Sequence, residues 1–533
     1  MHPTISLITP VYQPPASVLR QTIQSVLDQQ YPHWQLCLFD DASTDPTTRQ
    51  ILNEFQGIDP RIIVGYGDHN QGIAAASNSA MALATGSWLG FLDHDDVLAP
   101  QALQRVAETI DQFDDVDLIY SDEDKVTMDG RFVSPIRRPP WSPERLRNQN
   151  YICHFVAARA QAVTALGGFR AGFDGSQDHD LLLRLSETAR RIVHIPEILY
   201  HWRMVEGSVA HDSAAKPYAY DAGRRAVQEH CDRTGIAATV SIRDRAPGCY
   251  RVHRQIEQTQ TISVIIPSNG TSGRVHGITT SLVVNLVQSI AAETAYPIAQ
   301  IVVVDDVNRP LPHSARESIL DVANGSDISI VSTNDATFNF SRQINVGAAH
   351  CDTDLLLLLN DDVYATEPNW LDEMVSLLGD DVGAVAPFLH FPEGMLQCAG
   401  HNHSRAPEPD GRLKSSQYRG SQMQFAATRE VSSVSGACML TRRSTFYTVG
   451  GMNTGLPGAY NDVDYCIKLR RYGLRVLVTP NANLVHLESA SRDPRVAERE
   501  YVDLMHRWRA DFGTDLYDPD GPARGQNPIL NFF

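Results

Sequence analysis

Residues 91–96 read FLDHDD, an apolar run that ends in Asp93, Asp95 and Asp96. Bare carboxylates this close repel one another and are costly to desolvate unless a cation joins them. On an extended segment Asp93 and Asp95 face the same side. Two carboxylates so placed can hold a hard divalent cation, Mg2+ or Mn2+, with water or phosphate oxygens completing its shell. His201 is a candidate nitrogen ligand, better suited to Mn2+ than to Mg2+. An Asx-rich turn accounts for the same residues without a metal. An EF-hand does not, because its twelve-residue loop with a central glycine is missing. A second acidic stretch, QDHDLLLRL at 177–185, reads as the start of a helix with Leu181, Leu182 and Leu185 toward a core. Asp178 and Asp180 there either cap the helix and offset its dipole, or Asp178 enters a crevice as a general base.

What must position these groups is a repeated unit. TISLITP at 4–10 returns as TISVIIP at 261–267, and QSVLDQQYP at 24–32 returns as QSIAAETAYP at 288–297. LCLFDD (36–41) returns as IVVVDD (301–306), and FLDHDDV as LLNDDV. Asn78 precedes Asp93 by fifteen positions, as Asn345 precedes Asn360. GGF and GGM precede QDHDLLLRL and NDVDYCIKL, and IPEILYH and TPNANLVH end at His201 and His486. So many echoes in one order mark a tandem duplication, with copies at about 1–255 and 256–533. The tail AYDAGRRAVQEHCDRTG of the first copy reads as a helix and connector. Within each copy β-rich runs alternate with helical patterns, such as 17–29 with Ser17 as its N-cap, which predicts an α/β sandwich with parallel pairing. In such sheets ligands bind at the carboxyl ends of strands, where Asp40, Asp41 and residues 93–96 fall.

A length of 533 residues predicts two or three domains. A net charge of −18 argues against nucleic acid but leaves room for anionic small molecules carried by a cation. No stretch resembles a signal peptide, and LLLLL at 355–359 is strand-sized rather than membrane-spanning. None of the eight cysteines forms a C-x-x-C pair, so all are read as reduced core thiols of a cytoplasmic protein.

The ordered motifs resemble glycosyltransferase family 2 domains of the GT-A fold, once in each copy and over nearly the whole chain. SLITPVYQPP, FDDASTD, NQGIAAASNSAMALATGSWLGFLDHDD, QDHDLLLRL and LYHWRMVEGSVA carry the resemblance in the first copy. SVIIPS, FNFSRQINVGAA, LLLLNDDV, SGACMLTRR, GAYNDVDYCIKLRRYG and NLVHLESASR carry it in the second. The tandem arrangement is similar to bacterial enzymes that build O-antigen, capsule or other cell-surface polysaccharides.

That resemblance implies two Rossmann-like domains, each a mostly parallel sheet flanked by helices. It implies inverting transfer from a UDP-, dTDP- or GDP-linked sugar to an oligosaccharide or lipid-linked glycan. Asp40 and Asp41 would contact the nucleoside, Asp93 the ribose or metal-bound water, and Asp95 the Mg2+ or Mn2+. His201 would touch metal or phosphate, and Asp178 would deprotonate the acceptor. Pro10, Tyr12 and Asn78 join the donor site. The second copy offers Asp305, Asp306, Asn360 and Asp361 with Pro267, Arg342 and Asn345 for the donor, Asp362 and His486 for the metal, and Asp462 as base. A lipid-linked acceptor would bring the protein to the inner face of the cytoplasmic membrane, through peripheral attachment or an assembly complex.

Two departures lie in the second copy: NDD replaces DHD, and DDVNRP replaces DDASTD. Base and histidine persist there, so two active sites are expected, with a scaffolding second copy as the alternative. A sugar nucleotidyltransferase would need a glycine-rich phosphate loop where the chain reads TPVYQPP. A catalytically dead carbohydrate-binding protein is disfavoured by the retention of Asp178 and Asp462. YSDEDK at 120–125 either borders the acceptor cleft or is a solvated turn, and Trp141, Trp202 and Tyr460 either stack on sugar rings or, as aromatics more often do, belong to the core.

Overall fold

The structure is a computed structural model describing residues 3–204, 217–256, 260–322, 326–335, 337–404, 407–487, 497–513, 515, 517 and 518. The motif ends VEGSVA (205–210) and ESASR (488–492) lie outside the described residues. Described residues up to Val252 form one compact unit, and those from His253 onward form a second.

The first unit is built on β1 (Ile5–Val11), β2 (Trp34–Asp40), β3 (Ile62–Tyr66), β4 (Trp88–Phe91), β5 (Val97–Leu98), β6 (Val116–Val126), β7 (Phe132–Ile136), β8 (Val156–Arg159) and β9 (Arg191–Arg203). Their order is β3-β2-β1-β4-β8-β6-β9-β5, with β7 paired to β6. β1 lies parallel to β2 and β4, and β2 parallel to β3, as alternation with helices requires. β8 then runs antiparallel to both β4 and β6. β6 in turn lies parallel to β9, so the sheet is mixed, with parallel pairs on both sides of the antiparallel β8.

Both faces of these strands are covered, which is why they read as near-continuous apolar runs. Ile5, Leu7 and Val11 pack with Leu19, Ile23 and Trp34 on one face, while Ile8, Cys37 and Leu89 pack with Ala74, Leu181 and Leu182 on the other. The helix below β1 begins at Ala16, with Pro15 rather than Ser17 at its N-cap position.

The second unit repeats the plan. Its ten-stranded sheet runs Asp327–Thr333, Gln300–Asp306, Ile262–Pro267, Leu355–Leu359, Cys438–Arg442, Val382–His390, Arg475–His486, Val363–Ala365, with two short strands paired at its margins. The LLLLL strand divides between two cores: Leu355, Leu357 and Leu359 enter one, Leu356 and Leu358 the other. All eight cysteines are thiols outside any disulfide, seven of them buried and Cys153 half-buried.

Candidate functional site

In each unit the chain passes from the strand at one side of the first strand to the strand at its other side, and a cleft opens at this switch point. In the first unit the cleft encloses about 660 Å3 open to solvent. Pro10 from the end of β1, Asp93 from the end of β4 and Asp178 from the helix Gln177–Ser186 line it, together with His154 and an apolar wall that includes Ile73, Phe91 and Leu181. In the second unit a cleft of about 610 Å3 brings together Pro267, Asn360, Asp361, Asp462 and His486. The two candidate bases thus sit at equivalent helix starts. Asp178 accepts a hydrogen bond from Asn150 Nδ2 at 3.0 Å, whereas Asp462 accepts from the backbone N–H of Gly436 and of Val463, both at 2.8 Å.

Asp93, Asp95 and Asp96 offer carboxylate oxygens within 4.8 Å of one another. Desolvation and the neighbouring Asp95 charge raise the Asp93 carboxyl above its ordinary range, with His154 opposing. Burial, then Asp95 and Asp93, push the fully buried Asp96 well above it. Asp96 is fixed from the sheet, accepting from the Tyr200 hydroxyl and, at 2.7 Å, from the Arg203 backbone N–H. Three hard oxygen donors whose own repulsion a cation would relieve fit Mg2+ or Mn2+.

Strand pairing fixes how the two acidic motifs correspond. Ile8 lies opposite Phe91 and Ile265 opposite Leu358, so Asp93 matches Asn360. Val97 lies opposite His201 and Val363 opposite His486. The second motif is one residue shorter, so Asp361 and Asp362 match Asp95 and Asp96. His486 reaches Asp362 Oδ1 with Nε2 at 3.1 Å and holds Gln397 Oε1 with Nδ1 at 2.6 Å. Asp361 accepts from the Ser268 hydroxyl at 2.7 Å. His201 differs: its Nδ1 lies 2.6 Å from Asp124 Oδ1, its ring packs on Phe132, and it stands outside the acidic group.

Several residues expected at the donor also carry bonds within the fold. The carboxamides of Asn78 and Asn345 are each bonded at both ends to the backbone of Phe169 and Met452, respectively. Asp41 accepts from the N–H groups of Gln71 and Gly72, and Asp306 from that of Asp335, so both tie down the loop after the third strand of their unit. Asp40 accepts from Ser43 N–H at 3.1 Å. Asp305 is buried against Arg316 and the hydroxyl of Ser332. Arg342 pairs with Asp335 at 3.0 Å, and Tyr12 is 44% exposed with its hydroxyl bonded to Gln13. Asp180 is an ion-pair centre, holding Arg170 and Arg184.

YSDEDK is neither loop nor solvated. It lies in β6 and is buried, and three of its carboxylates meet three imidazoles: Asp122 with His194 at 2.8 Å, Glu123 with His154 at 3.1 Å, Asp124 with His201. His154 and Glu123 were not singled out in the sequence. No local pattern marks His154 in NYICHF, and Glu123 becomes meaningful only once β6 and the loop before β8 are neighbours. Desolvation opposes a charge on His154, but Glu123 and Asp93 outweigh it and hold the imidazole well above its ordinary pKa.

Residues 6–163 match the family model "Glycosyl transferase family 2", and residues 260–510 match "Glycosyltransferase like family 2". The chain belongs to glycosyltransferase family 2. Among relatives, this family 2 chain is 37% identical over 97% of its length to the uncharacterized protein y4gI of Sinorhizobium fredii, covering 57% of that protein. It is 35% identical, again over 97% of its length, to the O-antigen biosynthesis protein RfbC of Myxococcus xanthus, covering 40% of it. The family 2 chain thus spans about half the length of these curated relatives. Among solved structures, TarS 1–349 of S. aureus in complex with UDP-GlcNAc aligns at 20% identity and a TM-score of 0.35, over 43% of this chain and 66% of that one.

Proposed function

We propose that each unit transfers a sugar from a nucleotide-diphospho-sugar, UDP-, dTDP- or GDP-linked, to a growing cell-surface polysaccharide, with inversion at the anomeric carbon. One observation carries this reading: in both units an aspartate at a helix start, Asp178 or Asp462, shares a cleft with the acidic end of the fourth strand. Asp178, oriented by Asn150, takes the proton of the acceptor hydroxyl as that oxygen attacks the anomeric carbon. The bond from that carbon to the diphosphate breaks, and its electrons leave with the nucleoside diphosphate. A positioned carboxylate base contributes about 10²–10⁴-fold. A divalent cation held by Asp93, Asp95 and Asp96 supplies positive charge against the departing diphosphate. The acceptor is an oligosaccharide or a lipid-linked glycan, met at the inner face of the cytoplasmic membrane. Attachment there is peripheral or through an assembly partner; no helix among the described residues is long and apolar enough to cross a membrane.

A second reading makes the second unit an acceptor-binding scaffold. Asn360 stands where the first unit has Asp93, and two backbone N–H groups already engage Asp462. The test is release of nucleoside diphosphate from a panel of UDP-, dTDP- and GDP-sugars with Mn2+ or Mg2+ and glycan acceptors. Metal-dependent release that requires acceptor supports transfer; donor binding without release under every condition rejects it.

A further inference from the structure

Each unit turns one imidazole toward its acidic motif, but from different elements. In the second unit it is His486, at the end of its strand, with Nδ1 anchored on Gln397 and Nε2 on Asp362. The strand-register counterpart in the first unit, His201, is held by Asp124 instead. The place is taken by His154, from the loop before β8. Its backbone N–H and its Nδ1 both meet Glu123 Oε2, at 2.8 and 3.1 Å, and Glu123 is 1% exposed. Its ring stacks on Tyr200, whose hydroxyl is bonded to Asp96. His154, like His201, is outside the group of three carboxylates that lie within 4.8 Å of one another, but its Nε2 faces Asp93 Oδ2 at 3.9 Å, too far for a direct hydrogen bond and suited to a third group between them. An imidazole with Nδ1 on a buried carboxylate and Nε2 beside further carboxylates is the usual support of a histidine metal ligand. The second unit carries Ala437 at the position of His154, since Phe91 lies opposite Val156 and Leu358 opposite Met439.

We propose that His154, oriented by Glu123, supplies the nitrogen ligand of the divalent cation in the first unit, and that His201 does not. The inference rests on the metal-assisted transferase reading above. It makes the two units unequal in their ligand sets, with a loop histidine in one and a strand-end histidine in the other.

The test is electron spin echo spectroscopy of Mn2+ bound to the full chain in the presence of UDP. Every sample carries His486→Gln, which removes the second unit's imidazole. The expected result is a directly coordinated imidazole nitrogen signal that survives His201→Gln and disappears in His154→Gln. In the latter, Mn2+ affinity also falls by about tenfold or more. The glutamine retains a group able to bond Glu123, and His154→Asn repeats the test if the first variant melts early. A nitrogen signal that persists without His154, or that vanishes with His201→Gln, overturns the inference. Mn2+ bound with no nitrogen signal in the parent overturns it while leaving the metal reading intact. Binding no stronger than in an Asp93→Asn, Asp95→Asn double variant overturns the metal reading itself.

Discussion

Asn78 and Phe169 exchange two hydrogen bonds across 91 residues of chain: Nδ2 donates to the Phe169 carbonyl at 2.8 Å, and Oδ1 accepts its N–H at 2.9 Å. Asn345 and Met452 make the same pair at the same distances. The clamp explains the paired glycines before each phenylalanine or methionine. Gly168 has φ +68°, and a Cβ there would lie 2.5 Å from Asn78 Oδ1; Gly451 has φ +62°, with Asn345 Oδ1 at 2.8 Å. The turn so fixed leads into the helix that carries Asp178 or Asp462.

Asn78→Ala leaves two backbone groups of Phe169 without their partner, at a cost of about 2–4 kcal/mol. We expect an earlier urea midpoint, and Gly168→Ala to move it the same way. A midpoint equal to that of the wild type in both variants would show the clamp to be dispensable.

Much of this fold was legible because the duplication supplied an internal comparison. Alternating apolar runs located β1, β2 and β4, and the doubled LLLLL and IVVVDD strands fell into place beside them. The acidic strand ends and helix starts also stood out, since carboxylates after an apolar run are rare without a purpose. What could not be read were pairings between distant residues. Asn78, Asp41 and Asp305 carry motif positions, yet their partners, Phe169, Gln71 and Arg316, are backbone or charged groups that only the folded chain brings near. The acidic run 120–125 has no strand alternation to mark it, and its histidine partners come from β9 and from the loop before β8.

Glu123 is the most consequential of those buried groups. It holds Arg138 at 2.5 Å as well as His154, and its side chain is 1% exposed. Glu123→Gln removes the carboxylate from the buried ion pair with Arg138, which costs about 3–5 kcal/mol. Thermal melting should fall markedly, and a melting temperature within error of the wild type would contradict the ion pair's importance.

His230 gives a pH signature away from the cleft. Burial, then the Arg147 charge, lowers its pKa from 6.5 to about 4, despite Glu187. The Nε2 atom accepts from Arg147 at 3.2 Å, so the native ring is neutral. Above pH 6.5 the contribution is fully present. As pH falls toward 4 the unfolded chain takes up a proton that the folded chain refuses, and stability drops by up to about 1.4 kcal/mol per pH unit. Melting temperatures of His230→Gln should therefore depend less steeply on pH across that window than those of the wild type. Parallel profiles would refute the assignment.

The central claim is that Asp178 is the base of a sugar transfer in the first unit and Asp462 its counterpart in the second. It is tested most directly by nucleoside diphosphate release from donor and acceptor in Asp178→Asn and Asp462→Asn, each compared with wild type. The account predicts that each substitution removes a different transfer, slowing it by about 10²-fold or more. Release at the wild-type rate in Asp178→Asn, with the protein folded and donor bound, would contradict it.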